Sequence, residues 1–443
     1  MAEDSADRYR LPTNVKPYHY DLTVRTDLEG LKYDGYVTIH LEVVKEMRTI
    51  QFHALKLKLG QVKLTSPSLD EPIIQNASEL TFNEADERAT MHLPTVLPAG
   101  ATAELRLEFE SELTDSLIGY YRSSWECEGK TAYHALTHLE PTAARRAFPC
   151  WDEPALKATV TLQMISRAHT TNIANMSVHS ESVYTPHPDP DSDAAAWLAQ
   201  RLLEGQHEMW KVTTFQKTPL ISTYLVGWAN GPFNFLEAAY TSPLTGKTRP
   251  LRIYATPDLI RQGQFALDVA RRAMPIYEEV FDIEYPLPKL DFLVASDYKA
   301  GAMENWGLIT GSTIGLLVDT DRADLLGKQD VAAMVCHEIS HMWFGNITTM
   351  EWWDTVYLKE GFARLLGETI MLDKLFPEWR LRPEFLTYAM SVAMKADAKP
   401  SSHPIEVECP DANKANQIFD ALSYDKGATI LRMLSEYVGE ETF

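Results

Sequence analysis

The chain has 443 residues, of which 45% are hydrophobic and 23% are charged, and its formal charge is −21. A chain of this length exceeds what one hydrophobic core normally serves, so two or three domains are expected. The strong negative charge argues against nucleic acid and against an anionic membrane surface as partners, because their phosphates would be repelled.

The cysteine pattern and the first residues predict a cytoplasmic protein without membrane insertion. The four cysteines show no short paired spacing of the kind that marks a disulfide framework or a zinc ribbon. The first seven residues are polar and acidic, without the basic and apolar regions of a secretory signal. No apolar run approaches the length that a membrane-spanning helix requires. The oligomeric state is left open by the sequence.

The first half of the chain alternates apolar and polar residues in short runs, the pattern of half-buried strands. The clearest runs are 18–24, 36–43, 103–109 and 158–165. An acidic, proline-rich tract at 186–209 interrupts them and is interpreted as a surface insertion containing a short helix. The pattern predicts an antiparallel β domain over residues 1–238.

The second half changes to a helical period and predicts an α-rich domain over residues 239–443. Segment 290–295 is a predicted strand. Four segments are predicted to be helical: 257–281, 328–344, 355–375 and 426–438. Gly345 and Asn346 follow the second of these and are predicted to stop it. The fold class is therefore multidomain α+β.

A His-Glu-x-x-His motif lies in the second of these helices. His337 and His341 are one helical turn apart on one face, so both imidazoles can reach one Zn²⁺ ion. Glu338 lies beside them, where a base acting on zinc-bound water is needed. Glu360, on the next predicted helix, can supply a third ligand and leave one position open for water or substrate. A helix whose histidines only satisfy hydrogen bonds is the alternative reading of the bare motif.

Further motifs accompany this one in a characteristic order. They are EPTAAR (140–145), FPCWDEP (148–154), GAMENWG (301–307), HEISHMWFGN (337–346), EGFA (360–363) and SYDKGA (423–428). With these motifs the chain resembles the gluzincin zinc aminopeptidases of peptidase family M1, which include aminopeptidase N and the puromycin-sensitive aminopeptidase. The resemblance implies a saddle-like β domain followed by a thermolysin-like catalytic domain, and hydrolysis of the first peptide bond of peptides that have a free amino terminus.

The resemblance also implies a role for each matching residue. One Zn²⁺ per chain would be held by His337, His341 and Glu360, with Glu338 as general base and acid. Tyr424 would donate a hydrogen bond to the oxyanion of the tetrahedral intermediate. From the residue alone, an aromatic side chain packed on the core would be the better interpretation of Tyr424.

Substrate binding is implied for two groups of residues. Glu304 and Glu140 would capture the α-amine of the peptide, because a desolvated ammonium needs charge-assisted partners. The remaining positions would contact an extended peptide or line its first specificity pocket, and they are His138, Gly301, Ala302, Met303 and Asn305.

Some positions depart from the family pattern. Met342 stands where Gln is usual, His138 stands where several relatives have Gln, and Tyr357 and Lys359 replace the common Trp and Asn before the glutamate ligand. None of these is a predicted zinc ligand. Ala302 favours a peptidase over the epoxide-hydrolysing branch of the family, which usually has Gly there.

Members of the family continue beyond the point that corresponds to residue 443, so the catalytic domain is expected to be incomplete at its C-terminal end. Apolar side chains near that end should then be exposed. An alternative to an active enzyme therefore stays open, namely a shortened, weakly active or inactive homologue that binds zinc or peptides.

Overall fold

The computed structural model describes residues 9–184, 209–439 and 443. It divides the chain into two compact units, Met1–Pro232 and Phe233–Phe443. The sequence placed the boundary after residue 238. The predicted insertion at 186–209 lies almost wholly outside the described residues.

The described part of the first unit is built from strands. They are β1 (Val15–Asp27), β2 (Lys32–Val43), β3 (Met47–His53), β4 (Lys58–Thr65), β5 (Ile73–Asn76), β6 (Thr81–Asn83), β7 (Arg88–Leu97), β8 (Thr102–Glu112), β9 (Gly119–Cys127), β10 (Lys130–His138), β11 (Thr159–Arg167), β12 (Thr171–Ala174), β13 (Val178–Val183), β14 (Trp210–Phe215) and β15 (Trp228–Gly231). Short 3₁₀ turns connect some of them, at Ala77–Glu79, Ala144–Arg146 and Thr223–Leu225.

These strands form three sheets within the described residues. The orders are β13-β14-β11-β1-β2-β8-β4-β5, β12-β15-β10-β9 and β3-β7-β6. The four segments predicted as strands all correspond to strands of the first sheet, namely β1, β2, β8 and β11, although the segment 158–165 begins one residue before β11. Its pairs are antiparallel with one exception, since β1 and β11 run in parallel, with Tyr20 opposite Val160. The alternation of side chains cannot show this, because it is the same for both directions.

Aromatic side chains join two of these sheets into one core. Tyr33 of β2 packs edge-on against Tyr120 of β9, with ring centroids 5.1 Å apart. Tyr120 in turn contacts Trp228 of β15 at 5.3 Å. All three rings are buried, so their contacts stabilise the packing of the two sheets.

The second unit combines a mixed sheet with helices. Its strands are β16 (Asn234–Thr241), β17 (Thr248–Ala255), β18 (Leu290–Ala295), β19 (Ala302–Met303) and β20 (Leu308–Ser312), in the order β16-β17-β18-β20-β19. Its α-helices are α1 (Gln264–Phe281), α2 (Thr313–Leu316), α3 (Leu325–His341), α4 (Tyr357–Leu365), α5 (Leu372–Leu375), α6 (Arg382–Thr387), α7 (Ala389–Asp397) and α8 (Gly427–Val438). π-Helical segments occur at Leu366–Met371 and Leu422–Lys426, and 3₁₀ turns at Ile260–Gly263, Trp353–Thr355, Pro377–Trp379 and Ala412–Gln417.

The helix that carries the His-Glu-x-x-His motif begins and ends three residues earlier than predicted. Asp324 is its N-cap, and the Asp324 side chain accepts a hydrogen bond of 2.9 Å from the amide of Gly327. The helix ends at His341, and the amide of Asn346 turns back to the carbonyl of His341 at 3.0 Å. The motif therefore occupies the last turn of a capped helix.

Contacts with α1 hold this helix from behind. The hydroxyl of Tyr277 donates to the carbonyl of Cys336 at 2.6 Å. Trp343, just beyond α3, stacks on Tyr277 and Phe281, with ring centroids 5.7 and 5.3 Å away. Since α1 also packs on the sheet through β16 and β17, the motif is anchored to the core of its unit.

The last helix of the chain exposes large apolar side chains, as expected. On α8 the exposed fractions of Met433 and Tyr437 are 61% and 89%, and those of Ile430 and Leu434 exceed 40%. Among the described residues, no helix combines the length and apolar character needed to cross a bilayer.

Candidate metal centre and active site

Three side chains on α3 and α4 bring their donor atoms together. The Nε2 atoms of His337 and His341 lie 3.1 Å apart, and Oε2 of Glu360 lies 3.3 and 3.5 Å from them. Donors at about 2.0–2.2 Å from a tetrahedral zinc ion are separated by about 3.3–3.6 Å. All three residues are buried. The structure thus brings the three predicted ligands together at a spacing that fits zinc.

The other nitrogen of each imidazole is engaged outside the cluster. Nδ1 of His337 lies 2.9 Å from Oε1 of Glu368, and Nδ1 of His341 lies 3.0 Å from the carbonyl of Phe344. Carboxylate and carbonyl oxygens accept hydrogen bonds, so the proton of each ring belongs on Nδ1. The lone pair of each Nε2 then faces the cluster, which is the tautomer that a metal ligand requires.

The charges around the cluster favour a cation at its centre. Burial by itself lowers the pKa of His337, but the hydrogen bonds that Glu360 and Glu368 accept from its ring outweigh this effect and raise the pKa to about 10. Burial likewise opposes ionisation of Glu360, yet Lys359 and the two histidines bring the pKa of Glu360 well below its usual range. A site that attracts a proton in this way offers the same electrostatic stabilisation to a metal ion.

Glu368 reaches His337 from a π-helical segment, Leu366–Met371, in what the sequence predicted to be one continuous α-helix. Gly367 explains the close approach. A Cβ at this position would lie 2.8 Å from backbone atoms of Cys336 and His337, which only glycine avoids. The extra residue of a π-turn shifts the side chains that follow it, and such segments are common at functional sites.

Arg364 links Glu368 to the segment that carries Tyr424. Its guanidinium pairs with the Glu368 carboxylate, and its Nε donates to Oδ1 of Asp425 at 3.0 Å. Coulombic attraction from both carboxylates raises the pKa of Arg364 against the effect of burial. One cation therefore positions two segments that meet at His337.

Glu338 is 3% exposed, and its Oε2 has no hydrogen-bond partner within the described residues. Burial is the largest cause that raises its pKa. His337 and His341 lower the pKa, Glu304 and Glu360 raise it, and the net result is a pKa of about 7. A buried carboxylate oxygen without a partner is costly and is rarely kept for stability alone. A pKa near neutrality is what a general base and acid needs.

Lys359 joins Glu304 to the metal cluster. Its buried ammonium pairs with Oε1 of Glu304 and lies 3.1 Å from Oε1 of Glu360. Burial raises the pKa of Glu304, and attraction from Lys359 and His341 more than reverses this, so that the net shift is downward. Glu304 is therefore held as an anion beside the cluster.

The backbone of the Glu304 segment is also fixed to the metal-binding helix. The Asn346 side chain donates to the carbonyl of Glu304 at 2.9 Å and contacts Sδ of Met342 at 3.7 Å. Asn305 is fully buried and donates to Oγ1 of Thr310 at 3.0 Å. These bonds set the position of Glu304 relative to the metal cluster.

Gly301, Ala302 and Met303 lead into Glu304 at the edge of the sheet. Ala302 and Met303 form β19, which pairs antiparallel with β20 as the edge strand among the described residues. Met303 is buried, and Ala302 is half-buried. An edge strand is the structural requirement for adding an extended peptide by backbone hydrogen bonds.

Tyr424 lies against the metal cluster. Its ring stacks on the imidazole of His337, with centroids 6.2 Å apart and planes inclined by 14°. It belongs to the π-helical segment Leu422–Lys426, which leads into α8. The two segments approach closely because a Cβ on Gly361 would lie 2.8 Å from backbone atoms of Gly427 and Ala428.

The remaining predicted residues, His138 and Glu140, belong to the first unit. His138 is buried and ends β10, where it pairs with Gly119. Glu140 follows two residues later and is half-buried. Their assignment to substrate binding stays a prediction.

Sequence reasoning did not find Glu368, Arg364 or Asn346 as parts of the site. Glu368 follows Glu360 by eight residues, close to two helical turns, so a search for acidic residues on the same helix face could have found it. Arg364 is four residues from each and lies on that same face. Asn346 was assigned only to the end of a helix.

A buried His-Glu-x-x-His helix end and a glutamate from the next helix form a cluster that could hold a metal ion. Beside it lies Glu338, whose Oε2 has no hydrogen-bond partner among the described residues. Residues 265–443 match the model of the peptidase family M1 domain, and residues 16–190 match that of the peptidase M1 N-terminal domain. The chain therefore belongs to peptidase family M1. Its β-rich first unit followed by a helical region agrees with the predicted fold class.

Several curated proteins are similar over nearly the whole chain. The alanine/arginine aminopeptidase of Saccharomyces cerevisiae is 37% identical over 438 residues, which are 98% of this chain and 47% of that protein. The mitochondrial aminopeptidase 2 of the same yeast is 37% identical over 453 residues, covering 100% and 43%. Aminopeptidase M1-C of Oryza sativa subsp. japonica is 36% identical over 443 residues, covering 99% and 46%. The chain spans about half the length of these relatives.

Proposed function

We propose that the protein is a zinc-dependent aminopeptidase that hydrolyses the first peptide bond of peptides with a free amino terminus. One observation carries this proposal. The donor atoms of His337, His341 and Glu360 lie 3.1–3.5 Å from one another. Glu338, whose buried Oε2 has no hydrogen-bond partner among the described residues, directly follows the first of them. Membership of the family and the names of its relatives supply the reaction class.

The residues that hold zinc are His337, His341 and Glu360, with Glu368 fixing the first of them. When bound there, zinc supplies a Lewis acid that polarises a peptide carbonyl and acidifies water. Its three protein ligands include one carboxylate, a set known from catalytic rather than structural zinc sites.

Glu338 and Tyr424 carry the proton transfer and the charge stabilisation. Glu338 takes a proton from the attacking water and passes it to the nitrogen of the leaving amine. Its burial raises its pKa towards neutrality and so suits it to both steps. Tyr424, which stacks on His337, donates a hydrogen bond to the oxygen of the former carbonyl as negative charge develops there.

Glu304 gives the reaction its specificity for amino termini. Its carboxylate is anionic, buried and fixed through its backbone by Asn346. An α-ammonium bound to it would place the first peptide bond at a set distance from the metal cluster. The sequence adds Glu140 as a second anchor, and a cytoplasmic location also remains a prediction from the sequence.

Zinc content and hydrolysis of amino-acid arylamides test the proposal together. We expect about one zinc per chain, release of arylamine that a chelator abolishes, and recovery on adding zinc. The variant Glu338→Gln should keep its zinc and lose about 10²–10⁴-fold in rate. A variant at an exposed glutamate of the same unit, Glu378→Gln, serves as the control and should match the wild type.

Two results would contradict the proposal. Arylamide hydrolysis that survives Glu338→Gln would exclude this residue as the base. Zinc bound at one per chain without hydrolysis of any arylamide or peptide would favour the alternative of a zinc- or peptide-binding module.

A further inference from the structure

The ammonium of Lys359 forms an ion pair with the carboxylate of Glu304, the group to which the proposed function assigns the α-amine of the substrate. Lys359 is 3% exposed, and its Nζ pairs with Oε1 of Glu304, which is also 3% exposed. The pair is therefore shielded from water on both sides. Charge-assisted hydrogen bonds of this kind are the strong ones, particularly when water is excluded.

Lys359 offers Glu304 the same chemical group that a peptide would bring. A lysine side chain and an amino terminus are both ammonium ions with up to three hydrogen-bond donors. Glu360 lies 3.1 Å from the same Nζ, and the ring of Phe419 covers it at 5.8 Å. Two carboxylates therefore contact the ammonium of Lys359, and a second cation placed at Glu304 would be repelled by this ammonium.

We infer that Lys359 is a specificity-determining residue that occupies Glu304, so that an amino terminus binds this carboxylate only by displacing the lysine. The inference rests on the proposed function, because it takes Glu304 as the amine anchor. Lys359, the residue before the ligand Glu360, thereby takes a direct part in substrate selection. The resemblance gave Lys359 only as a departure from the common Asn.

Lys359 should affect the binding of free and acetylated peptides differently. Removing the charge of Lys359 should strengthen the binding of peptides with a free amino terminus and leave acetylated peptides unaffected, because these have no ammonium. A purely structural role would weaken both kinds of peptide together, since loss of a buried cation leaves two carboxylates uncompensated and destabilises the site.

Calorimetric titration with trialanine and N-acetyl-trialanine tests this, in the zinc-loaded Glu338→Gln background that prevents turnover. The quantity compared is the ratio of the two dissociation constants, acetylated over free. For Lys359→Met we expect this ratio to rise by about tenfold or more. Lys359→Gln, which keeps a neutral donor to Glu304, should move the ratio in the same direction and covers the case in which the Met variant does not fold.

Three further variants separate competition from structural effects. Lys359→Arg keeps the charge and should keep the low ratio. Lys289→Met removes a second buried lysine of this unit, whose Nζ lies 2.9 Å from Asp291, and should leave the ratio unchanged. In a Glu304→Gln background, Lys359→Met should no longer change the ratio of dissociation constants. The reason is that Lys359 affects amine binding through its ion pair with Glu304, which this background lacks. Thermal unfolding and zinc content are recorded for every variant.

The outcomes distinguish this inference from the proposed function. A ratio that stays constant or falls in both Lys359→Met and Lys359→Gln, while Glu304→Gln abolishes discrimination, overturns the inference and leaves the proposed function standing. If the zinc-loaded Glu338→Gln protein and all variants made in it bind neither peptide, the proposed function fails and this inference fails with it.

Discussion

Two buried clusters of charged side chains, one in each unit, contrast in how completely their hydrogen bonds are made. In the first unit Arg145 donates to Oδ2 of Asp152 at 2.9 Å, to Oε2 of Glu87 at 3.0 Å and to the carbonyl of Asp152 at 3.1 Å. The other oxygen of Asp152 accepts from Thr223 at 2.8 Å. Both charged members of the central pair are thus fully engaged.

In the second unit, the cluster of Glu304, Glu338, Lys359 and Glu360 does not make all the hydrogen bonds that its side chains could make. It holds three buried carboxylates with one lysine, and Oε2 of Glu338 has no partner in the part of the chain that the structure describes. Burial is the main cause that raises the pKa of Glu338, which lies at about 7. The first cluster stabilises a fold, whereas the second has bonding capacity left for a ligand.

Breaking the first cluster should have the largest effect on stability. Arg145→Met leaves the buried Asp152 and the half-buried Glu87 without their cation, so the free energy of unfolding should fall by about 3–5 kcal/mol. Urea denaturation followed by circular dichroism measures it. The neighbouring, less buried Arg146→Met is the control and should cost much less. Equal losses in the two variants would contradict a special role for Arg145.

In the second unit, removal of the Tyr424 hydroxyl should act on the reaction and not on stability. Tyr424→Phe keeps the ring that stacks on His337 but removes the donor for the oxyanion. The rate constant for arylamide hydrolysis should fall about 10²–10³-fold, with zinc content and unfolding midpoint unchanged. Unchanged hydrolysis in this variant would exclude the assigned role.

The link between Glu368 and His337 should tune the affinity for metal. Glu368→Gln weakens the acceptor that fixes the tautomer of His337, so zinc affinity should fall about 10–100-fold. Competition with a fluorescent chelator measures the zinc dissociation constant. The reaction rate at saturating zinc should change less than the affinity, and the opposite order would argue that Glu368 contacts substrate.

An exposed ion pair should contribute least to the free energy of unfolding. Lys58 lies 2.5 Å from Glu110 in the first unit, but the Lys58 side chain is 79% exposed. Lys58→Met should therefore change the free energy of unfolding by less than about 1 kcal/mol. A loss as large as that of Arg145→Met would show that burial is not what separates these pairs.

The parts of the site that depend on local spacing could be predicted from the sequence. The interval of four residues between His337 and His341 fixes their common face on any α-helix. Glu360 was proposed as third ligand from the next predicted helix, and Glu304 and Tyr424 were found from the family motifs. The structure places all three at or beside the cluster. The strand and helix segments were mostly placed correctly, because they have long periodic patterns.

The parts that depend on tertiary contacts could not be predicted. The eight-residue interval places Glu368 on the same helix face as Glu360. A π-turn such as Leu366–Met371 has the same apolar period as an α-helix over so few residues, so the contact of Glu368 with His337 could not be predicted. The parallel pairing of β1 with β11 joins residues about 140 positions apart. Lys359 was noticed as unusual, but its contact with Glu304 spans 55 positions and follows only from the fold.

Zinc content measured by mass spectrometry on the purified chain tests the central claim most directly, namely that the second cluster is a metal site. The wild type and Glu338→Gln should each hold about one zinc per chain, while Glu360→Gln and His341→Ala should lose it at the same free zinc concentration. Arg145→Met, under conditions in which it remains folded, should keep its zinc. A wild-type chain without zinc, or zinc retained after both ligand substitutions, would contradict the account.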